Sequence, residues 1–70
     1  MMNIATAIGV TELRIEGYEE AKKILLEEDN LLKEEPKVEK QMLASLDNNI
    51  KACELAIKCM ELVEEDLYKN

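Results

Sequence analysis

The sequence has no histidine, tryptophan or phenylalanine among its 70 residues, and only two glycines, one proline and two cysteines. Without histidine, neither Ser45 nor a cysteine has the usual base that turns it into a nucleophile. The Glu-x-x-His pattern of helical di-iron sites is excluded for the same reason. We therefore predict that the protein is not an enzyme and that it holds no cofactor and no metal.

Helix breakers and aromatic residues are scarce, whereas 36% of the residues are charged and 47% are hydrophobic. This composition is typical of helices rather than of sheets or disorder. The length allows one domain, so we expect residues 1–70 to form a single all-α domain.

Positive charge is also scarce, with 9 lysines and arginines against 16 acidic residues and a net charge of −7. A chain with this charge repels nucleic-acid phosphates and anionic lipids. We predict no direct nucleic-acid binding and no membrane binding. A basic protein partner is favoured instead.

The cysteines do not predict a stabilising disulfide. Cys53 and Cys59 lie six residues apart, so on one helix they point about 120° apart and cannot bridge. The first ten residues have neither the basic start nor the long apolar run of a secretory signal. We expect a reduced, cytoplasmic protein.

The only proline precedes a stretch over 37–69 that predicts one long helix. Its residues at alternating spacings of three and four form a heptad seam that indicates packing against another helix. The seam consists of Leu43, Leu46, Ile50, Cys53, Ile57, Met60, Glu64 and Leu67.

A second apolar stripe lies away from the seam and would remain exposed to solvent in a monomeric hairpin. It consists of Ala52, Leu55, Cys59 and Leu62. Domains of this size usually need disulfides, metals or oligomerisation for stability. We predict that another copy of the chain covers Leu55, Cys59 and Leu62.

Residues 10–33 predict the first helix. Its apolar stripe is Val10, Leu13, Gly17, Ala21, Ile24, Leu25, Leu31 and Leu32. Gly17 is unfavourable in a helix and suggests close approach of a neighbour or a kink. An alternative hypothesis makes residues 10–15 a short strand, because polar and apolar residues alternate there.

Residues 2–8 suggest a short helix of their own, stopped by Gly9 and followed by Thr11 as the cap of the next helix. The other interpretation is one continuous helix over 3–33. Both versions predict an antiparallel helical hairpin that turns at 34–36 and assembles into a homo-oligomeric helical bundle.

Two groups of residues are candidate binding sites. Arg14, Tyr18 and Lys22 lie four residues apart, so across an oligomer they suggest a pocket for a small anionic, nucleotide-like ligand. The alternative interpretation is that Tyr18 packs on the core edge while both cations pair with glutamates. The second group is Glu61, Glu64, Glu65 and Asp66.

This acidic cluster opposes the dipole at its own helix C-terminus. Either the start of the first helix and Arg14 compensate it, or it is a surface for a basic partner. The leading hypothesis is therefore a self-associating protein that binds another macromolecule, as an inhibitor or adaptor occluding a basic site. The alternatives are an oligomer that sequesters a small anionic ligand between protomers and a purely structural assembly subunit.

Overall fold

The fold is a helical hairpin, seen in a computed structural model that describes residues 3–27 and 34–69, with side chains up to Leu67. Helix α1 spans Ile4–Leu25 and helix α2 spans Pro36–Lys69, and the two pack against each other. The prediction of an all-α hairpin is confirmed. Residues 10–15 lie inside α1, so the strand hypothesis is wrong.

Helix α1 begins earlier than the predicted start at residue 10. The Asn3 side chain caps it by accepting a hydrogen bond of 2.8 Å from the Thr6 backbone N–H. The helix continues through Gly9, so a separate short helix over 2–8 is wrong. Thr11 is not a cap, since its hydroxyl donates to the Ala7 carbonyl at 2.8 Å within the helix.

Helix α1 ends at Leu25, before the predicted end at residue 33. The Leu26 N–H donates to the carbonyls of Lys22 and Lys23, which tightens the last turn. The two lysines favour this end because a helix C-terminus carries partial negative charge. Residues 28–33, with the predicted stripe positions Leu31 and Leu32, lie outside the described residues.

Helix α2 begins at Pro36, one residue before the predicted start. Proline suits the first helical position because the N–H that it lacks would have no partner there. The Glu35 carbonyl accepts the first bond, from the Glu39 N–H at 3.0 Å. Glu39 in the first turn also complements the helix dipole.

The face of α2 that contacts α1 follows the predicted seam. Ile50 is buried at 9% exposure, and the other seam positions from Leu43 to Glu64 are half-buried. The seam ends before Leu67, which is 65% exposed. The heptad pattern therefore located this face correctly over most of its length.

The contact face of α1 differs from the predicted stripe. Leu25 is buried and Ala21 half-buried, but Leu13 is 65% exposed and Ile24 51% exposed. The side chains that turn toward α2 belong to Ile4, Ile8, Thr11, Ile15, Tyr18, Lys22 and Leu25. The prediction failed because α1 has two faces with apolar residues. The face that packs against α2 carries Ile4, Ile8 and Ile15, whereas the predicted stripe followed the face that carries Leu13.

Gly17 also differs from expectation. It is exposed, and a Cβ placed there would meet nothing within 4 Å. In the hairpin, Gly17 therefore marks no close helix approach.

The hairpin is a thin rod with a small core. Its extents are 56 × 17 × 16 Å and its radius of gyration is 16.1 Å, whereas a compact chain of this length has a radius of about 11 Å. Among the described residues, only Leu25 and Ile50 are buried. Two helices in contact along one face each leave most of their surface in water.

Candidate functional site

An ion pair between the helices shows which residues of α1 and α2 lie at the same level. The Lys22 ammonium lies 2.5 Å from the Asp47 carboxylate. Since both helices rise about 1.5 Å per residue, Arg14, eight residues before Lys22, lies level with Leu55, eight residues after Asp47. By the same reasoning Ile4 lies level with Glu65.

The hairpin has two broad sides, which we name by their chemistry. Because the helices are antiparallel, positions at equal rotation from the two contact faces lie on the same side of the pair. On the first, which we call the charged side, helical rotation places Glu12, Glu16, Glu19, Lys23, Lys40, Asp47, Lys51, Glu54, Lys58, Glu61 and Glu65.

The opposite side, which we call the apolar side, is lined by Val10, Arg14, Gly17, Ala21, Val38, Met42, Ser45, Asn49, Ala52, Ala56, Val63 and Leu67. A groove of about 330 Å³ between the helices confirms part of this placement, since Ala21, Met42 and Ser45 line it together. Val63 and Leu67 are 52% and 65% exposed. One side of the hairpin is thus apolar and open to water.

The predicted oligomer interface of Leu55, Cys59 and Leu62 lies on the outer edge of α2, opposite its contact face. Leu55 and Leu62 are 63% and 59% exposed, and Cys59 is an exposed free thiol. None of the residues that the structure describes covers this stripe. On α1, the outer edge carries Leu13 and Ile24.

The acidic cluster does not form one surface. Glu61 and Glu65 are exposed on the charged side, Glu64 is half-buried on the contact face, and exposed Asp66 lies on the outer edge. Glu65 is level with the first turn of α1, which contains no acidic residue of its own. The positive end of the α1 dipole therefore lies beside these carboxylates.

The predicted compensation by Arg14 does not follow from this register. Arg14 is level with Leu55, six residues or about 9 Å before Glu61. The N-terminus of α1 is the nearer source of positive potential for the cluster.

The structure separates the predicted ligand-binding trio. Lys22 is held by Asp47 on the charged side of the contact face, whereas exposed Arg14 lies on the apolar side. Tyr18 is half-buried on the contact face between them. Within one hairpin, the three side chains do not line a common pocket.

Arg14 has an unusual environment for the only arginine in an acidic chain. The positions three and four residues away on α1 are Val10, Thr11, Gly17 and Tyr18, none of which is acidic. At the same level, the apolar side of α2 offers Ala52 and Ala56. Among the described residues, no hydrogen bond or ion pair joins Arg14 to another side chain.

Several exposed apolar residues were not among the predicted interface residues. Val38, Met42, Val63 and Leu67 are 40–65% exposed along α2. Between Lys51 and Val63, the sequence confines Glu54, Lys58 and Glu61 to one narrow stripe and leaves the other directions of α2 apolar, which was the signal for Val63. The predicted interface was restricted to the line of α2 opposite the seam and therefore did not include these four residues.

Within residues 3–27 and 34–69, no three histidine, cysteine, aspartate or glutamate side chains come together in a way that could hold a metal ion. Neither described helix is long and apolar enough to cross a membrane. No protein-family model, curated protein or solved structure matches the chain.

Proposed function

We propose that this protein is a non-enzymatic helical hairpin that self-associates through its apolar side and binds a basic macromolecule through its charged side. It acts as an inhibitor or adaptor that occludes a basic site on its target. The observation that carries the proposal is the division of the surface into these two sides. Apart from Arg14, Ser45 and Asn49, the residues of the apolar side are nonpolar, and water-soluble monomers seldom leave so long an apolar surface open.

The accessible area supports self-association. The hairpin exposes 5776 Å², whereas a compact monomer of its mass exposes about 4,450 Å². The excess, about 1,300 Å², exceeds the roughly 800 Å² that each partner contributes to a standard protein interface. A second copy of the chain matches the apolar side in length and chemistry.

The charged side supports a basic partner. When apolar sides pack together, the charged sides of both copies face outward, so the negative charge of each is presented to other molecules. Such a surface attracts a basic partner, and this attraction weakens as salt screens the charges. The free thiols Cys53 and Cys59 fit the reducing cytoplasm, where we place the protein.

The test compares the partner binding of two variants with equal charge. The first replaces Glu54, Glu61 and Glu65 by glutamine on the charged side. The control replaces Glu20, Glu34 and Glu35 by glutamine, away from that side. We expect immobilised wild-type protein and the control to retain a basic protein that high salt releases, and the first variant to lose it.

Capture that is equal for both variants, or that does not change with salt, would refute the charged side as the binding surface. Circular dichroism of each variant checks that the helices remain intact. All six exchanged carboxylates are exposed in the hairpin, so we expect folding to be retained.

A further inference from the structure

The apolar side contains one charged residue among the described residues, Arg14. Burying an arginine in an interface without a counter-charge is strongly unfavourable. The opposing surface of a second copy would be the same apolar side, on which none of the described residues is a carboxylate. The counter-charge must therefore come from elsewhere.

The position of Arg14 along the rod brings two copies of it together. Arg14 lies at the middle of α1, and its level on α2, Leu55, lies within about 4 Å of the middle of that helix. A two-fold axis that superimposes two rods along their length brings their middles together. Across helices about 10 Å apart, two long arginine side chains reach a common point.

We propose that the two Arg14 side chains of a dimer bind one small oxyanion, a phosphate or a phosphate-bearing molecule, enclosed between the apolar sides. This inference rests on the self-association proposed above. A guanidinium group presents paired N–H donors that match two oxygens of a phosphate. The two positive charges of the guanidinium groups balance the double negative charge of one dianion, so the interface encloses no net charge.

Tyr18 gives the site its second chemical feature. It follows Arg14 by one helical turn and is half-buried on the contact face of α1. An aromatic ring next to a phosphate-binding guanidinium suits a ligand with a planar group that stacks on it. Lys22 does not belong to this site, because it is paired with Asp47 on the other side.

The experiment measures self-association by sedimentation velocity in phosphate and in chloride of equal ionic strength, after purification without phosphate. With phosphate about ten times above its own dissociation constant, linkage predicts an about tenfold lower dissociation constant of the wild-type dimer. Arg14→Met should dimerise in chloride and show no response to phosphate. Lys23→Met, which removes a cation from the charged side, should respond as the wild type does.

The outcomes separate this inference from the proposed function. A wild-type dimer that does not respond to phosphate refutes the oxyanion site and leaves self-association intact. Loss of the response in Lys23→Met equal to that in Arg14→Met refutes the specific role of Arg14. A monomer in both salts refutes self-association and the site together.

A nucleoside monophosphate, AMP, tests the contribution of Tyr18. Equal responses to AMP and to phosphate assign the site to a free oxyanion. A stronger response to AMP, retained by Tyr18→Phe and lost in Tyr18→Leu, assigns it to a phosphate that carries a planar group. Leucine keeps the apolar bulk at this half-buried position, so folding is preserved in the comparison.

Discussion

Gly9 and Gly17 are two residues of α1 whose side-chain positions are open in the hairpin. A Cβ at either would meet nothing within 4 Å, and neither residue has a positive φ. Glycine inside a helix is less stable than alanine by about 0.5–1 kcal/mol. We expect Gly9→Ala to raise the free energy of unfolding by this amount in urea denaturation.

Gly17→Ala should bring the same gain in the isolated hairpin, but Gly17 lies on the apolar side. If a second copy packs closely there, the added methyl group clashes, and the variant gains less than Gly9→Ala at protein concentrations where the wild type self-associates. Equal gains at all concentrations would show that no close contact forms at Gly17.

The start of α1 depends on a single side chain. Asn3 accepts the Thr6 N–H, and loss of such a cap costs about 0.5–2 kcal/mol. We expect Asn3→Ala to lower the free energy of unfolding by this amount. Asn48→Ala is the matched control, because Asn48 is exposed inside α2, where alanine is the better helix former.

Destabilisation by Asn48→Ala as large as that by Asn3→Ala would contradict the assigned cap. Thermal unfolding followed by circular dichroism at one protein concentration measures both variants.

Which face of α1 packs on α2 is tested by two leucines of the same helix. Leu25 is 6% exposed and Leu13 is 65% exposed. Truncating a buried leucine to alanine costs about 2–5 kcal/mol, which is comparable with the whole stability of a small domain. We expect Leu25→Ala to lose most of its helical circular dichroism signal, and Leu13→Ala to keep it. The opposite order would mean that α1 packs on α2 through the face that carries Leu13.

The two helices differ in how well the sequence predicts them. In α2 the charged residues Glu54, Lys58 and Glu61 form one narrow stripe, so the seam could be placed from spacing alone. In α1 two apolar faces compete, and spacing does not decide between Ile15 and Leu13. The choice is made by the fit against α2, which includes the contact of Lys22 with Asp47.

For the candidate site, as for the fold, the sequence predicted positions on each helix but not the contacts between the helices. Helical spacing placed Arg14, Tyr18 and Lys22 on neighbouring turns, and it placed Leu55 and Leu62 away from the seam. Spacing within one helix could not show that Lys22 forms an ion pair with Asp47 on the other helix. It also could not show that Arg14 lies on the apolar side, because that side exists only once two helices are joined.

At the scale of the whole molecule, the apolar surface is larger than one interface can cover. A second copy on the apolar side covers residues such as Met42 and Val63. Leu55 and Leu62 point away from the contact face at the outer edge, and Leu13 and Ile24 do so on α1. Dimers formed through the apolar side therefore keep apolar edges, which favour association of dimers into a larger assembly.

Two double variants with equal chemistry separate these contacts. Met42→Glu with Val63→Glu places two charges on the apolar side, and we expect a monomer, since unpaired buried charges oppose the interface. Leu55→Glu with Leu62→Glu charges only the edge, and we expect a dimer that assembles no further. Lys51→Gln with Lys58→Gln changes the net charge equally without touching apolar surface and should match the wild type. Light scattering coupled to size exclusion measures all three; a monomer from the edge variant and a larger assembly from the apolar-side variant would reverse the assignment of the two surfaces.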